Sequence, residues 1–362
     1  MDIKDIAGQF ATEGIIGEIE PHGGGHINDS YHLVNQTGGS PDYLLQRVNH
    51  YVFKDVDLLM RNMSIVTKHI ASIIRERDPE NLSRKSLIIT PTLTGESYFK
   101  DPDGNYWRVL NFIQDHVVFE RATDPSIAYE GARMFGNFTQ MLSGLDASQL
   151  GETIPKFHNI KWRLSNLRES INEDSAGRVK YVKEEIRYVE QSADLMCTIQ
   201  NLGEEGSIPL RITHNDTKIN NVLFDNNHQG LCVIDLDTVM PGYVHYDMGD
   251  GIRTFTNTGE EDDEDLDHIQ MDLELYRAFA NGFLDSTRDI LNPIETETLV
   301  YAGLLFPYIM GVRFLTDYIA GDVYYKIKHK EHNLVRARAQ LRLAQDGESK
   351  LDECKEIIKS LT

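Results

Sequence analysis

Hydrophobic and polar positions follow two different periods along the chain, and the change between them marks a boundary. Near the N-terminus, short apolar runs bounded by glycine, proline and aspartate predict β-strands. These predicted strands cover residues 14–20, 30–34, 43–48, 87–93 and 105–113. Between the third and the fourth, residues 55–77 carry apolar positions at helical spacing. The pattern therefore predicts a small mixed lobe that contains these strands and one long helix.

After residue 113 the helical period dominates. Asp124 and Pro125 form a good N-cap and first-turn pair, which predicts a helix that ends near Leu145. Further helical patterns cover residues 163–202, 264–285, 294–319 and 331–360, and one β-rich patch interrupts them at 210–236. We therefore predict an α+β fold with two lobes. The N-terminal lobe is mixed β/α and covers residues 1–113, and the larger, mostly helical C-terminal lobe covers residues 114–362.

The strongly negative overall charge disfavours negatively charged macromolecular partners. The formal net charge is −21, so the average surface repels a nucleic-acid duplex or a bare anionic membrane. No run approaches the ~18 apolar residues of a membrane span, and the acidic, mixed N-terminus is not a secretory signal. Cys197, Cys232 and Cys354 show neither metal nor disulfide spacing, which favours a reducing cytoplasm. We expect a cytoplasmic protein without nucleic-acid or membrane partners, and the sequence leaves monomer and dimer open.

A dense polar cluster, THNDTKINNVL at residues 213–223, lies between two apolar runs. Its residues Asp216 and Asn221 follow the H-x-D-x-x-x-x-N spacing of the protein-kinase catalytic loop. In that loop the aspartate accepts the proton of the substrate hydroxyl, and the asparagine holds a metal ion. Lys218, two residues after the aspartate, is a candidate point charge for a transferred phosphoryl group. The spacing therefore predicts phosphoryl-transfer chemistry.

A pair of acidic residues follows in CVIDLDTVMPG, residues 232–242. Asp235 and Asp237 lie at the end of an apolar strand, where positions two apart face the same side. Two carboxylates on one side repel each other unless a cation lies between them. A turn over residues 226–230 predicts a hairpin that brings Asn221 and Asp235 side by side. These side chains supply the oxygen ligands that Mg²⁺ needs in phosphoryl transfer.

A glycine-rich turn lies between the first two predicted strands. Alone, Gly23, Gly24 and Gly25 indicate a flexible hairpin as readily as a cover for phosphate groups. Ahead of a kinase-type loop, the turn predicts a lid whose backbone amides approach the phosphates of ATP. His26 and Asn28 follow the turn, and they are candidates for contact with phosphate or with the acceptor substrate.

Three segments carry a resemblance to a known family. They are THNDTKINNVLFD (213–225), VIDLDTVMPG (233–242) and YDMGDGIR (246–253). They resemble the aminoglycoside phosphotransferase family, which has the protein-kinase-like two-lobe fold and phosphorylates hydroxyl groups on small molecules.

The resemblance implies a role for each residue of these segments that matches a family motif. It implies that Asp216 is the catalytic base, that Asn221 and Asp235 bind Mg²⁺, and that Asp237 serves a second ion. It also implies ATP as the phosphoryl donor. The remaining charged residues of the third segment are expected to brace the catalytic loop rather than to act in catalysis: Asp247, Asp250 and Arg253.

The third strand departs from the protein-kinase pattern, in which it carries a lysine. Here the strand has Gln46 and Arg47 near that position, and only one of them faces inward because neighbours in a strand alternate. The resemblance favours Gln46, as a neutral donor to the α- and β-phosphates. Between the lobes, Asn111, Phe112 and Ile113 either offer backbone groups to adenine or form a plain connection.

Longer stretches carry a resemblance within that family to the N-acetylhexosamine 1-kinases. They include GGGHIN (23–28), GVRFLTDYIAGDVYY (311–325) and EHNLVRARAQL (331–341). This resemblance implies ATP- and Mg²⁺-dependent phosphorylation of the anomeric hydroxyl of N-acetylglucosamine or N-acetylgalactosamine. Arg313 is the first candidate for acceptor binding, because an unpaired charge in an otherwise apolar helix is energetically unfavourable, and Tyr324 is the second.

Two other functions stay open at this stage. A related kinase that acts on an aminoglycoside, choline or ethanolamine, or homoserine would need an acidic, aromatic pocket for a cationic acceptor. The acidic run at 259–267 keeps that alternative open, although we expect the run to be the solvated start of a helix. The missing lysine motivates the other alternative, a nucleotide-binding module without turnover. The presence of Asp216, Asn221 and Asp235 argues against it.

Overall fold

The computed structural model of the chain describes residues 1–23 and 27–362. Gly24, Gly25 and His26, three of the residues predicted to contact phosphate or acceptor, lie outside the described residues. The chain forms two compact units, and each is built from separate stretches. The first comprises residues 1–118, 144–155 and 222–240, and the second comprises residues 119–143, 156–221 and 241–362. The single lobe boundary at residue 113 stays a prediction.

The first unit is built on an antiparallel sheet, as the strand pattern predicts. Its strands are β1 (Ile16–Pro21), β2 (Asp29–Asn35), β3 (Tyr43–Val48), β4 (Ile89–Thr90), β5 (Phe99–Lys100) and β6 (Tyr106–Asn111). The order across the sheet is β1-β2-β3-β6-β4, and β5 also pairs with β6. The helices of this unit are α1 (Ile3–Ala7), α2 (Val56–Arg77) and α3 (Leu82–Lys85).

The long helix of the first unit forms where the sequence predicts it. The side chain of Asp55 caps α2 by accepting a hydrogen bond from the backbone N–H of Leu58 at 2.9 Å. Its apolar positions are buried, among them Leu59, Met63 and Val66. Burial of this stripe, rather than helix propensity alone, stabilises the helix.

The strand predicted over residues 87–93 is wrong in its extent. Only Ile89 and Thr90 form a strand, because Pro91 has no backbone N–H to continue the ladder. The chain then turns, with the backbone N–H of Thr92 bonded to the carbonyl oxygen of Glu96 at 2.8 Å. The two-residue strand β5 is too short to have been found from its hydrophobic pattern.

The second unit is mostly helical, as predicted. Its helices are α4 (Pro125–Leu142), α5 (Ile160–Glu173), α6 (Lys183–Met196), α7 (Thr198–Glu204), α8 (Val244–Thr256), α9 (Leu273–Thr287), α10 (Pro293–Thr298), α11 (Ala302–Ala320), α12 (His332–Ser349) and α13 (Leu351–Leu361). Asp124 caps α4 as predicted, with its side chain accepting from the backbone N–H of Ser126 at 2.7 Å. The short strands outside the large sheet are β7 (Arg211–Thr213), β8 (Val222–Phe224), β9 (Gly230–Val233) and β10 (Met240–Gly242).

Several predicted helix boundaries in this unit are wrong. The pattern over 163–202 corresponds to three helices. Asp174 and Gly177, with positive φ angles of 39° and 66°, lie between α5 and α6, and Cys197 separates α6 from α7. The pattern over 331–360 breaks at Lys350 into α12 and α13. The acidic run at 259–267 precedes α9 as an irregular segment rather than starting a helix, because its carboxylates pair with cations of neighbouring elements.

Helix α8 is absent from the predicted elements, although its apolar residues recur at helical spacing. Its sequence, VHYDMGDGIRTFT, places charged residues and glycines among the apolar positions, yet nearly all of it is buried. Gly249 and Gly251 allow close packing, because a Cβ atom at either would collide with the carbonyl of Ala302 or the ring of Phe279. The absence of side chains at Gly249 and Gly251 therefore allows α8 to pack closely in the core.

The prediction that no apolar run is long enough for a membrane span is wrong by length and composition, because of helix α11 and the turns before it. The helical stretch Pro293–Ala320 is long and apolar enough to cross a membrane, but 78% of its apolar window is buried inside the protein. Its side chains form the core of the second unit with residues of α5, α6 and α12. Burial on this scale indicates a core helix, so the apolar run reflects packing between helices.

The hairpin predicted around residues 226–230 is confirmed. Strands β8 and β9 pair antiparallel, with Val222 opposite Val233. The backbone N–H of Asp225 donates to the carbonyl oxygen of Gln229 at 2.8 Å and closes the turn, in which His228 adopts a positive φ of 62°. The side-by-side placement of Asn221 and Asp235 stays a prediction.

Candidate active site

The polar cluster of the second unit forms a loop between a strand and a short 3-10 turn. Strand β7 ends at Thr213, and the turn covers Ile219–Asn221. Asn215 has a φ of 65°, the left-handed region that asparagine tolerates better than most residues. The carbonyl oxygen of Asn215 lies 3.1 Å from Nε2 of the buried His158. This contact holds the peptide unit that immediately precedes Asp216.

The beginning of α8 braces this loop, as predicted. Asp247 is fully buried, and its two carboxylate oxygens accept from the backbone N–H groups of His214 at 2.9 Å and Asn215 at 2.7 Å. The hydroxyl of Thr217 donates to the carbonyl oxygen of Asp247 at 2.7 Å. Asp250 accepts from the backbone N–H of Thr217 at 3.0 Å. The loop backbone is therefore fixed by two carboxylates of one helix.

Asp216 is held between two side chains of its own loop. Nζ of Lys218 lies 2.8 Å from one carboxylate oxygen, and the amide nitrogen of Asn221 donates to the other at 3.1 Å. Burial raises the pKa of Asp216, but the opposing charge of Lys218 lowers it further, so the pKa falls below its ordinary value. The charge of Asp216 in turn raises the pKa of Lys218 to about 12. Asp216 is thus a carboxylate at neutral pH, and 21% of its side chain is exposed.

The buried Asp247 predicts a distinctive pH dependence. Burial raises its pKa from 3.8 to about 6. The folded chain therefore holds a proton here between about pH 4 and pH 6 that the unfolded chain releases, so this group's contribution to stability falls as pH rises through that window. Activity should change in the opposite direction. A protonated Asp247 accepts the two loop N–H groups less strongly, so kcat should fall below about pH 6.

A profile of kcat against pH from 5 to 8 tests this expectation, with Asp247→Asn as the comparison. The variant should have a lower kcat, because an amide offers one acceptor oxygen where the loop needs two. It should also lose the acid limb near pH 6. An unchanged acid limb in the variant would assign that titration to another group.

In the first unit, Asp237 lies in a network of hydrogen bonds and charge. One carboxylate oxygen pairs with the guanidinium of Arg108, and the other accepts from the side-chain amide of Asn28 at 2.6 Å. Arg108 is 1% exposed and also donates to the side-chain oxygen of Gln46 at 2.9 and 3.0 Å. Arg47, which follows Gln46 in strand β3, is half-exposed and pairs with Asp29 instead. Gln46 is thus turned toward Arg108, whereas its contact with a nucleotide stays a prediction.

These contacts bear on the predicted metal ligands. Both oxygens of Asp237 are engaged: the guanidinium of Arg108 offsets the charge of the carboxylate, and the neutral amide of Asn28 donates a hydrogen bond to it. Asp235 is exposed and has a φ of 60°. Within residues 1–23 and 27–362, no three His, Cys, Asp or Glu side chains converge on a metal-sized site. Binding of Mg²⁺ by Asn221, Asp235 and Asp237 therefore stays a prediction.

The other residues predicted to contact the nucleotide are Gly23 and residues 111–113, all in the first unit. Gly23 is exposed with a φ of 72°, and a side chain there would meet no other atom within 4 Å. The backbone N–H of Asn111 bonds to Ile88 at 3.0 Å, and that of Phe112 bonds to Asp42 at 3.0 Å. The carbonyl oxygen of Ile113 lies 2.5 Å from Nδ1 of His116. Several of the backbone groups predicted to meet adenine are thus used inside the unit, and the adenine contact stays a prediction.

The two acceptor candidates of the second unit differ in burial. Arg313 is half-buried, with its guanidinium 5.2 Å from the ring centre of Phe157 and 5.6 Å from that of Tyr325. Tyr324 is 66% exposed, and its backbone N–H is fixed by Asp317 at 2.8 Å. Arg313 lies within α11, about two turns before its end, whereas Tyr324 follows the turn at Gly321.

Two residues of these sites escaped the sequence reasoning. Arg108 is a lone charge within the apolar strand YWRVLN, and such an interruption was a usable signal. His158 lies in a loop and belongs to no sequence motif, so only its contact with Asn215 in the folded chain reveals it.

Comparison with known proteins gives one family and one fold. The sequence profile described as "Phosphotransferase enzyme family" matches residues 18–280. The structure resembles the aminoglycoside phosphotransferase from Alicyclobacillus acidocaldarius subsp. acidocaldarius DSM 446, at 13% identity and a TM-score of 0.61 over 100% of this chain and 97% of that chain.

Two further solved structures have the same fold. Spectinomycin phosphotransferase APH(9)-Ia, in complex with ADP and spectinomycin, is 11% identical with a TM-score of 0.55, over 97% of this chain and 94% of that chain. Choline kinase from Cryptosporidium parvum Iowa II is 13% identical with a TM-score of 0.53, over 95% of this chain and 92% of that chain. At these identities the likeness concerns the fold alone.

Proposed function

Because the chain belongs to the phosphotransferase enzyme family, we propose that it is an ATP- and Mg²⁺-dependent kinase for the anomeric hydroxyl of an N-acetylhexosamine. The observation that carries the proposal is the geometry of Asp216, a charged and partly exposed carboxylate in a rigidly braced loop. A base of this kind suits an anomeric hydroxyl, which is more acidic than an ordinary alcohol. The acceptor is N-acetylglucosamine or N-acetylgalactosamine, and the product is the sugar 1-phosphate.

The residue types of the predicted ligands, an amide and two carboxylates, are ones that Mg²⁺ takes. Mg²⁺ is usually held by one or two carboxylates and by phosphate oxygens, with water in its other positions, so a cluster of three acidic side chains is not required. Asn221 and Asp235 would hold it, and Asp237 is a further candidate. When bound, the ion would neutralise the charge of the phosphates. The spectinomycin phosphotransferase was solved with ADP, which supports ATP as the donor here.

Lys218 has a second role in the proposal. It lies 2.8 Å from Asp216, and its exposed fraction of 44% leaves the ammonium group accessible. In the ligand-free chain it keeps Asp216 charged, and with ATP present it would also offer a positive charge to the transferred phosphoryl group. Positioning and charge neutralisation supply most of the catalysis in this type of reaction.

A neutral acceptor agrees better with the charges of the second unit than a cationic one. The acidic run at 259–267 would be the natural site for an aminoglycoside or choline, but two of its carboxylates already pair with Arg or Lys side chains of other elements. Glu261 pairs with Arg336 at 2.5 Å and with Arg253 at 3.4 Å, and Asp262 pairs with Lys328 at 2.7 Å. Arg313 adds a positive charge among the predicted acceptor contacts. A cationic acceptor would therefore be repelled at Arg313, and Glu261 and Asp262 would have to give up their present partners to bind it.

An acceptor screen tests the proposed function. With ATP and Mg²⁺, ADP release should be fastest with N-acetylglucosamine or N-acetylgalactosamine, and ³¹P NMR should show a 1-phosphate. The methyl glycosides of the same sugars are the matched controls, because they lack only the free anomeric hydroxyl, and they should give no turnover. Faster turnover with choline, homoserine or an aminoglycoside would overturn the N-acetylhexosamine assignment and leave the family unchanged.

A further inference from the structure

Arginines of the second unit that are largely withdrawn from solvent divide into those with a carboxylate partner and those without one. Four arginines whose side chains are less than a fifth exposed each pair with an acidic residue: Arg178 with Asp322, Arg211 with Glu295, Arg253 with Asp250, and Arg336 with Glu261. Arg163 on α5, Arg313 on α11 and Arg342 on α12 are half-buried, and among the described residues none of them makes an ion pair. Arg342 stands apart from the other two and donates to the backbone oxygen of Leu266 at 3.4 Å. In a chain with a net charge of −21, acidic partners are not scarce.

The two arginines meet at Phe157. Arg163 donates to the backbone oxygen of Phe157 at 2.8 Å, and Arg313 lies over the ring of the same residue. The guanidinium of Arg163 also lies 4.7 Å from the ring centre of Trp162, and Nη1 of Arg313 lies 3.4 Å from the sulfur of Met310. Both Nε–H groups are buried, and each lacks a hydrogen-bond partner within the part of the chain that the structure describes.

The positive charges of Arg163 and Arg313 repel each other. Burial and the neighbouring charge of Arg313 lower the pKa of Arg163 to about 10. Aromatic faces attract cations, and here they offset part of the desolvation. They do not remove the repulsion between the two like charges, and they leave the Nε–H donors unused. The hydroxyl of Tyr325, beside Arg313, is a third buried polar group without a partner among the described residues.

We propose that Arg163 and Arg313 together bind an oxyanion, a carboxylate or phosphate group, that is either carried by the acceptor or free in solution. Guanidinium groups present planar pairs of N–H donors that match these anions, and one anion between two arginines would remove both the repulsion and the missing ion pairs. Tyr325, whose ring centre lies 5.6 Å from the guanidinium of Arg313, carries a buried hydroxyl that would be a third donor. N-acetylhexosamines are neutral, so this site goes beyond the proposed function and predicts a preference for acceptors that carry an acidic group.

Titration with inorganic phosphate tests the site without turnover. A non-hydrolysable ATP analogue is kept at saturation so that the nucleotide site is filled, and binding is followed by calorimetry and by the shift in Tm. The wild-type protein should bind phosphate, and Arg163→Met and Arg313→Met should each weaken binding at least about tenfold. Arg187→Met is the matched control, because Arg187 is an exposed arginine of the same unit paired with Glu184, and it should bind like the wild type.

The stability of the variants gives a second readout. Without phosphate, Arg163→Met should keep or raise Tm, because it removes one of two repelling buried charges. If the arginines served only to pack against aromatic rings, the same change should lower Tm. Phosphate should raise the Tm of the wild type and leave that of Arg163→Met unchanged.

Kinetics then distinguish the two sources of the anion. N-acetylglucosamine is compared with its 6-phosphate and with the corresponding sugar that carries a carboxylate at C6. A lower KM for the acidic sugars, lost in Arg313→Met, assigns the site to the acceptor. Phosphate binding that leaves every KM unchanged assigns it to a free oxyanion. Equal binding of phosphate and of all sugars to the wild type and both variants would overturn the proposal. Because the titration needs no turnover, the site stands or falls separately from the kinase assignment.

Discussion

Replacing Asp216 with asparagine should lower kcat by a factor of about 10²–10⁴ and leave ATP affinity nearly unchanged. The asparagine keeps the size of the side chain and its contact with Asn221, but it cannot accept a proton at neutral pH. Lys218 loses its charged partner at the same time, so its ammonium group becomes free to move. The measurement is single-turnover phosphoryl transfer together with calorimetric binding of an ATP analogue.

Asp194→Asn is the matched control for that experiment. It makes the same change of charge on the exposed surface of α6 in the same unit, and it should leave kcat and ATP affinity as they are. If Asp216→Asn instead retained kcat within a factor of a few, Asp216 would not be the base. Loss of ATP binding along with kcat would indicate that the loop had collapsed rather than lost its base.

The second large effect concerns stability. Arg108→Met should lower the free energy of unfolding by about 3–5 kcal/mol, because it leaves the carboxylate of Asp237 buried without its cation. It also removes both donors from the side-chain oxygen of Gln46. Urea denaturation followed by fluorescence measures the change.

Arg47→Met provides the comparison, because it is the neighbouring arginine of the same sheet. Its pair with Asp29 is about half-exposed, so its loss should change the free energy of unfolding by only about 0–1 kcal/mol. The double variant Arg108→Met/Asp237→Leu removes both charges and should recover much of the stability. Equal effects of Arg108→Met and Arg47→Met would show that the buried pair contributes no more than the exposed one.

The double variant also bears on the number of metal ions. Asp237 was predicted to serve a second ion, yet both of its oxygens have protein partners. If the double variant retains kcat, Asp237 is not a required ligand. A selective loss of activity that excess Mg²⁺ restores would instead assign it a role at the metal.

The sequence anticipated those features that depend on neighbours along the chain. The strands of the first unit and the long helix α2 follow from period-two and helical patterns, and Asp124 caps α4 as its position beside Pro125 predicts. The predictions failed where local pattern and tertiary packing disagree. Helix α8 was missed because charged residues and glycines separate its apolar positions in the sequence, and only packing shows that its glycines meet other helices closely.

Within the candidate site, the spacing between Asp216 and Asn221 was readable because both belong to one short loop whose geometry follows from the chain itself. The bracing by Asp247 was anticipated only through a resemblance. Its partners lie 32 and 33 residues away, and nothing local to the sequence YDMGDGIR shows that its carboxylate faces the backbone of another loop. Burial, which raises its pKa to about 6, is likewise a property of the fold.

By itself the sequence determined the element order of the first unit, the spacing of the phosphotransferase motif and the class of chemistry, because each depends on residue types at short separations. Only the tertiary structure decided which charges are neutralised. It pairs Arg108 with Asp237 across 129 residues, turns Gln46 rather than Arg47 toward that pair, and leaves Arg163 and Arg313 together without an acid. The physical reason is that charge compensation depends on distance and burial, and both are set by packing between residues that are remote in the chain.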